Sequence, residues 1–90
     1  MSHTKSEKVK LLNRVRRVRG QIEAVERALE QEIGCSDVLQ LIAGARGAIN
    51  GLMAEVMEDH ILEHVVGAAN ADARAKSAEE FAEIVKAYLK

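Results

Sequence analysis

Four side chains in this sequence are of the types that bind transition metals, and their spacing decides which of them can act together. His60 and His64 are four residues apart, so on a helix both imidazoles lie on one face and can converge on one metal ion. Cys35 is the only cysteine, and His3 is near the amino terminus. One thiolate with two or three imidazoles suits nickel, cobalt or zinc, whereas copper(I) favours more sulfur ligands.

Cys35 and His60 cannot meet within one chain if a continuous helix joins them. A helix rises about 1.5 Å per residue, so the two residues are about 37 Å apart along it. They can meet if this helix packs antiparallel against its copy in a second chain, which creates two symmetric sites. The two helices are expected to cross near residues 47–50, where small residues allow a close approach: Gly44, Gly47, Ala48 and Gly51. At about 100° per residue, five side chains of this helix project within about 60° of one another: Cys35, Met53, Met57, His60 and His64.

The amino terminus offers further ligands. Ser2 is small, so Met1 is expected to be removed, which leaves a free amine next to His3. An amine and a third imidazole would raise the coordination number and favour octahedral nickel or cobalt over tetrahedral zinc. Glu63, beside His64, is a candidate to accept a hydrogen bond from a ligand imidazole in the second shell of the metal.

Each of these side chains also has an ordinary structural explanation. A single cysteine is most often a small buried hydrophobe, and histidines four apart on a helix are more often exposed than bound to a metal. His3 can belong to an unstructured terminus, and Glu63 to a solvated surface. The residue types and their spacing leave both interpretations open.

Charge is distributed unevenly along the chain, although the net charge is only −1. Residues 1–20 carry seven Lys and Arg side chains against one acid and sum to +6, which leaves −7 for the rest of the chain. A basic end on an acidic body is typical of proteins that bind a polyanion. The arginine fork suits phosphates and guanine edges, so we predict contacts with double-stranded DNA from these residues: Lys8, Lys10, Arg14, Arg16, Arg17 and Arg19.

The basic residues occupy two sides of one helix. One stripe lies about 100° from the apolar residues of that helix and contains Lys10, Arg14, Arg17 and Gln21. No aromatic residue interleaves with the basic residues, which argues against stacking on single-stranded nucleic acid. A solvated face without a partner and a membrane surface are the alternatives, and the second is weakened because this helix has no Trp or Phe to insert.

The composition indicates an all-α protein. The 90 residues include no proline, aromatic residues make up 2 %, and hydrophobic residues, many of them alanine, make up 48 %. We predict a first helix over 5–32, from a capping box at Thr4–Glu7 to a stop at Gly34. Its apolar residues repeat every seven positions: Leu11, Val15, Val18, Ile22, Val25 and Leu29.

The second helix is predicted to begin at a cap on Ser36 or Asp37 and to continue to Gly67. Its apolar stripe consists of Val38, Ile42, Ala45, Ile49, Leu52 and Val56. After a weak linker over 67–72, a capping box at Ser77–Glu80 is predicted to start a short third helix. The apolar face of that helix consists of Phe81, Ile84, Val85 and Tyr88. We expect the three helices to form a single domain over residues 1–90.

Two long helices and a short one cannot cover their own apolar stripes. We therefore expect an antiparallel dimer that forms a four-helix bundle, and a tetramer built as a dimer of dimers. One cysteine excludes an intrachain disulfide framework, and no segment has the features of a membrane span or a signal peptide. The sequence therefore predicts a cytoplasmic protein without a membrane partner. We expect no enzyme, since no nucleophile and base pair, phosphate loop or cofactor fingerprint is present.

Three segments of the chain resemble the CsoR/RcnR/FrmR family of small helical bacterial repressors, which sense copper, nickel and cobalt, or formaldehyde. The segments are residues 14–21 (RVRRVRGQ), 45–53 (ARGAINGLM) and 87–90 (AYLK), and the resemblance covers essentially the whole chain. It implies tetramers of antiparallel dimers that bind operator DNA. It also implies release of that DNA when an effector occupies a site between subunits at Cys35.

Within this family the chain resembles the nickel- and cobalt-sensing branch, whose ligand pattern is matched by His3, Cys35, His60 and His64. The resemblance implies an apo form that represses metal efflux genes and is released from operator DNA by nickel or cobalt. Copper sensors carry a second cysteine in the helix 2 site, and this chain has none there.

Formaldehyde sensing is the alternative. Formaldehyde sensors resemble this chain in the first helix and also use Cys35, together with the amine at position 2. They typically have proline at position 2 and lack the histidine at position 64, whereas this chain has Ser2 and His64. That departure places formaldehyde second to nickel and cobalt.

Overall fold

The computed structural model describes residues 5–89, which form three α-helices and one π-helical segment. α1 is Lys5–Glu30, α2 is Cys35–His60 and α3 is Ala71–Tyr88. The π segment, Ile61–Val66, continues directly from α2. Residues 5–89 contain no strand, so the predicted all-α class is confirmed. None of the helices described is long and apolar enough to cross a membrane.

α1 ends earlier than the sequence predicts, and a glutamate rather than a glycine ends it. Glu32 has a φ of 54°, in the left-handed region. The Ile33 N–H donates to the Ala28 carbonyl at 3.1 Å, and the Glu32 N–H donates to the Leu29 carbonyl at 3.2 Å. This pair of hydrogen bonds is a Schellman motif, which satisfies the last carbonyls of the helix. The predicted stop at Gly34 is therefore wrong.

α2 begins at Cys35, before both of the predicted caps. The Val38 N–H donates to the Gly34 carbonyl at 3.1 Å, so Gly34 is the residue that precedes the helix. Ser36 and Asp37 lie in the first turn instead of capping it. The carboxylate of Asp37 is stabilised there, because the first N–H groups of a helix carry partial positive charge. The cap predicted at Thr4 for α1 lies outside the described residues.

The last part of the predicted second helix is π-helical. The Gly67 N–H donates to the Leu62 carbonyl at 3.1 Å, five residues back instead of four. A Cβ at position 67 would lie 2.9 Å from the carbonyl oxygen of Glu63 and 3.2 Å from that of Leu62. Any other residue would force the backbone to shift, so glycine ends the helical run at the predicted position.

α3 begins before the capping box at 77–80, so the predicted start is wrong. Asn70 has an extended backbone, and its side-chain oxygen accepts a hydrogen bond from the Ala73 N–H at 2.8 Å. This is the N-cap interaction that the sequence assigned to Ser77. The Nε of Arg74 donates to the Val65 carbonyl at 3.3 Å, and this bond satisfies a carbonyl near the end of the π segment.

The chain divides into two compact units, Met1–Met53 and Ala54–Lys90, with the boundary inside α2. In the first unit, α1 and the first part of α2 lie antiparallel, with Arg14 beside Gly51 and Gln21 beside Gly44. In the second unit, α3 packs on the π segment. The single domain over residues 1–90 stays a prediction.

The apolar repeat of α1 serves two different faces. Leu11, Val18 and Val25 are half-buried. The alternate members of the repeat are largely exposed, at 44 % for Val15, 50 % for Ile22 and 61 % for Leu29. The predicted repeat therefore divides into a half that packs within the chain and a half that does not.

The stripe of α2 divides in the same way. Ala45 is buried and Val38 and Leu52 are half-buried, whereas Ile42 and Ile49 are exposed. At about 100° per residue, these exposed isoleucines point roughly 180° away from the glycines of α2. The first unit thus has an apolar face, which consists of Val15, Ile22, Leu29, Leu39, Ile42 and Ile49.

Candidate metal centre and nucleic-acid interface

The two histidines predicted as ligands lie side by side where α2 joins the π segment. His60 is the last residue of α2, and His64 lies in the π segment. Their ring centroids are 5.1 Å apart and their ring planes are inclined by 47°. Both side chains are half-buried. The four-residue spacing brings the two imidazoles together, and their binding of a metal stays a prediction.

α3 orients the ring of His60. The Nε2 atom lies 3.4 Å from the Ser77 carbonyl oxygen, and the Phe81 ring stacks on the imidazole with a centroid distance of 5.8 Å and an angle of 17°. A carbonyl oxygen only accepts hydrogen bonds, so this contact is attractive when Nε2 carries the proton. The lone pair of Nδ1 is then free, as a metal-binding histidine held by its other nitrogen requires.

Cys35 is exposed at the first residue of α2, and His60 is the last residue of that 26-residue helix. In residues 5–89, no group of three or more His, Cys, Asp or Glu side chains is close enough to hold a metal ion. The described part of one chain therefore supplies two neighbouring imidazoles and no complete site.

The other predicted participants in the metal site are Ser2, His3 and Glu63. Ser2 and His3 lie outside the described residues. Glu63 is half-buried in the π segment, one residue before His64. Its predicted role as the acceptor for a ligand imidazole stays a prediction.

The basic stripe of α1 and the glycines of α2 line one hollow in the first unit, with a volume of about 310 Å³. We call it the α1–α2 hollow, and its lining consists of Arg14, Arg17, Gln21, Gly44, Gly47, Ala48 and Gly51. The glycines let the long side chains of α1 come close. A Cβ at Gly51 would lie 3.2 Å from a terminal guanidinium nitrogen of Arg14, and one at Gly44 would lie 3.9 Å from Gln21 Oε1.

The other predicted DNA contacts lie outside the hollow. A terminal nitrogen of Arg16 donates to the side-chain oxygen of Asn13 at 3.0 Å. The Nε of Arg19 lies 3.9 Å from the carboxylate of Glu23, and both side chains are well exposed, so this ion pair contributes little to stability. Two further predicted contacts are exposed on the first half of α1: Lys8 and Lys10.

The small residues of α2 are approached by the chain's own side chains. Their predicted neighbour is the same helix of a second chain, whereas Gln21 and Arg14 are the nearest groups at Gly44 and Gly51. The seven-residue step from Arg14 to Gln21 equals the step from Gly44 to Gly51. In an antiparallel helix pair, equal steps place Arg14 opposite Gly51 and Gln21 opposite Gly44. The matching spacing is the feature of the sequence that could have predicted these two contacts.

A chain of three helices with a basic face and a histidine pair fits a small DNA-binding regulator. A family model described as metal-sensitive transcriptional repressor matches residues 7–88. The chain belongs to this family, as the resemblance implied. It is therefore a transcriptional repressor and not an enzyme, and DNA is its partner in that activity.

Two relatives match the chain over its whole length. A protein of Serratia marcescens, described as an uncharacterized protein in the bioA 5′ region, is 50 % identical over 91 residues. The transcriptional repressor RcnR of Citrobacter koseri is 39 % identical over 90 residues. In both cases the alignment covers 100 % of this chain and 100 % of the relative.

Two solved structures share the fold. A glutamate-to-histidine variant of the formaldehyde-responsive regulator FrmR from Salmonella enterica serovar Typhimurium is 45 % identical, with a TM-score of 0.88, over 97 % of this chain and 99 % of that one. The copper-sensing repressor CsoR with Cu(I) from Geobacillus thermodenitrificans is 24 % identical, with a TM-score of 0.91, over 100 % of this chain and 94 % of that one. At this low identity, the second structure supports the fold alone.

Proposed function

We propose that this repressor senses a metal ion: its apo form binds operator DNA, and nickel or cobalt releases it and so induces metal efflux genes. The observation that carries the proposal is the pair of imidazoles, His60 and His64, with ring centroids 5.1 Å apart in a chain of the metal-sensitive repressor family. The match to RcnR over the full length of both chains supports it. The protein acts in the cytoplasm, where its DNA is.

The proposed metal site joins two chains. Cys35 of one chain would bind the ion together with His60 and His64 of the partner subunit. The amine of Ser2 or the imidazole of His3 would complete the ligand set. A thiolate, imidazoles and an amine favour nickel or cobalt, and zinc is the next candidate for this donor set.

The apolar face supports an assembly in which one chain completes the site of another. Leu39, Ile42 and Ile49 are 60 %, 46 % and 43 % exposed. At about 100° per residue, Cys35 projects within about 40° of all three. A second copy that packs antiparallel on this face covers the apolar side chains and brings its histidine end towards Cys35. We infer an antiparallel dimer, and a tetramer formed from two such dimers.

The proposed DNA contacts are led by Arg14 and Arg17. These two side chains line the α1–α2 hollow, whereas Arg16 and Arg19 lie outside it. Lys8 and Lys10 would add sequence-independent attraction to the phosphates.

Titration of the metal-free protein with nickel, cobalt and zinc tests the proposal. We expect absorption from a thiolate-to-metal bond, together with a loss of promoter DNA affinity of roughly 5- to 150-fold, the usual range of allosteric coupling. Cys35→Ala is expected to keep DNA binding and to lose the metal response, and Ser36→Ala is the matched control. Release of DNA from Cys35→Ala at wild-type metal concentration would contradict the proposal.

Mixing two inactive variants tests whether the site lies between chains. Neither Cys35→Ala nor His60→Ala has a complete site as a homodimer. In a mixed dimer, the intact Cys35 of one chain meets the intact His60 of the other, so refolding an equal mixture restores about one quarter of the wild-type sites. No recovery of thiolate-to-nickel absorption in the mixture would rule out the cross-chain arrangement.

Formaldehyde is a second candidate effector, because the formaldehyde-responsive regulator FrmR is a structural neighbour at 45 % identity. In this alternative the Cys35 thiol adds to the aldehyde, and the Ser2 amine then displaces water to close a methylene bridge. Intact-mass measurement would show a gain of one carbon atom per site. An unchanged mass in formaldehyde, together with DNA release by nickel, would exclude this alternative.

A further inference from the structure

The α1–α2 hollow has the chemistry of an oxyanion site. Arg14 and Arg17 bring two guanidinium groups to its lining, and the planar fork of arginine pairs with two phosphate oxygens at once. The volume of about 310 Å³ is that of roughly ten water molecules. A phosphate group and part of its sugar therefore fit inside.

Gln21 supplies an independent sign that this lining is incomplete without a ligand. Its Oε1 atom is buried and has no hydrogen-bond partner. A buried acceptor without a donor is unfavourable, and a half turn of the side-chain amide would present two N–H donors at the same place. With a phosphate in the hollow, those donors find an oxygen acceptor beside the two guanidinium groups.

Gly47 keeps space in the hollow. The Cβ positions of Gly44 and Gly51 lie within 4 Å of Gln21 and Arg14, whereas a Cβ at Gly47 would meet nothing within 4 Å beyond its own stretch of α2. A methyl group at this position would thus take space from a ligand without a clash in the protein. A substitution at this position can therefore weaken ligand binding without destabilising the fold.

The hollow is on the side of the first unit away from the apolar face. On α2, the glycines point roughly 180° from Ile42 and Ile49, at about 100° per residue. A second copy that covers the apolar face therefore leaves the hollow accessible. The two guanidinium groups in its lining suit a polyanion.

We propose that the α1–α2 hollow binds one phosphate group of the DNA backbone, held by Arg14, Arg17 and Gln21, and that Gly47 keeps the hollow open for it. This inference rests on the proposed DNA binding and specifies the atoms that perform it. The phosphate positions the helix pair on the duplex, because backbone contacts fix register and orientation.

The test compares Gly47→Ala with Gly20→Ala. Gly20 lies in the middle of α1, does not line the hollow, and also has no atom within 4 Å of its Cβ position. Alanine favours the helix at both positions, so both variants are expected to melt at or above the wild-type temperature. The pair thus differs in one relevant property, the space in the hollow.

Binding is measured by anisotropy with a labelled duplex that covers the promoter of the protein's own gene, over a series of salt concentrations. Gly47→Ala is expected to bind roughly tenfold more weakly, as after the loss of a charge-assisted hydrogen bond. Its slope of log K against log salt is expected to be lower by about 0.9 for each lost phosphate contact. Gly20→Ala is expected to match the wild type. An unchanged affinity or an unchanged salt slope in Gly47→Ala would overturn the inference.

Inorganic phosphate is the second probe, read from the Gln21 side-chain amide by NMR. The resonance is expected to shift in the wild type and in Gly20→Ala, and not in Gly47→Ala. If phosphate shifts it while promoter DNA does not bind, the proposed repression of this promoter fails and the anion site stands. If DNA binds equally to all three proteins and phosphate shifts nothing, the anion site fails and the proposed function stands.

Discussion

The α1–α2 hollow and the histidine pair differ in how much of a site one chain provides. The hollow has two guanidinium groups, a side-chain amide and a lining of small residues, all within residues 14–51 of a single chain. The histidine pair has two imidazoles and, within residues 5–89, no third ligand close enough to share a metal. In the proposed function, DNA contact is therefore a property of each chain, whereas the proposed metal site needs two chains.

A charge on the apolar face is expected to have the largest effect, because it would abolish the metal site and leave the α1–α2 hollow intact. Ile49→Glu places a carboxylate where a second copy would bury it, at a cost of several kcal/mol. We expect dissociation to smaller species in sedimentation velocity, with loss of the thiolate-to-nickel absorption. The shift of the Gln21 amide with phosphate is expected to persist, because the hollow belongs to one chain.

Ile49→Val is the matched control, since it keeps the face apolar and should keep both assembly and nickel absorption. Helical circular dichroism shows whether the Ile49→Glu chain is folded. Nickel absorption that survives in a dissociated, folded Ile49→Glu protein would show that one chain is sufficient for the metal site.

Arg14→Ala and Arg16→Ala test which side of α1 contacts DNA. Arg14 lines the hollow, whereas Arg16 hydrogen-bonds Asn13 on the exposed side of α1. We expect Arg14→Ala to weaken promoter binding by roughly tenfold to a hundredfold, and Arg16→Ala by about twofold. Nickel absorption should be unchanged in both. An Arg16→Ala loss as large as that of Arg14→Ala would place the DNA on the other side of α1.

Gly67→Ala is expected to act in the second unit only. Its Cβ would lie 2.9 Å from the Glu63 carbonyl oxygen, so the backbone that carries His64 must shift. We expect a loss of about 1–3 kcal/mol in the free energy of unfolding, seen as a lower melting temperature. Gly20→Ala should not lower it. Equal melting temperatures for the two variants would show that the turn after the π segment adapts without cost.

The helix pattern of α1 and the breaker at Gly67 could be predicted from the sequence, because each depends on local properties of a few residues. The division of the apolar repeat could not be predicted. Val18 and Val15 have the same side chain and belong to the two alternating positions of the repeat, and the position of α2 makes the first half-buried and the second exposed.

The wrong boundaries share a physical cause, which is competition between neighbouring signals. Gly34 is a good helix stop, yet Glu32 reaches the left-handed conformation first and closes the Schellman bonds. Ser77 heads a capping box, yet Asn70 caps the helix earlier and the alanines that follow sustain it. For the candidate sites, residue types and spacing predicted the histidine pair, whereas the roles of Ser77 and Phe81 depend on how α3 folds back.

The π segment also determines how the second unit responds to the deletion of a residue. Each of its hydrogen-bonded rings encloses one residue more than a ring of an α-helix does. Deleting Leu62 would remove the extra residue and let the segment relax to ordinary α-helix, so the side chains after the segment would keep nearly the same direction relative to the last turn of α2. The spacing of His60 and His64 would fall from four residues to three, so the histidine pair would change. A one-residue deletion in the segment is therefore expected to alter the histidine pair more than the packing of α3.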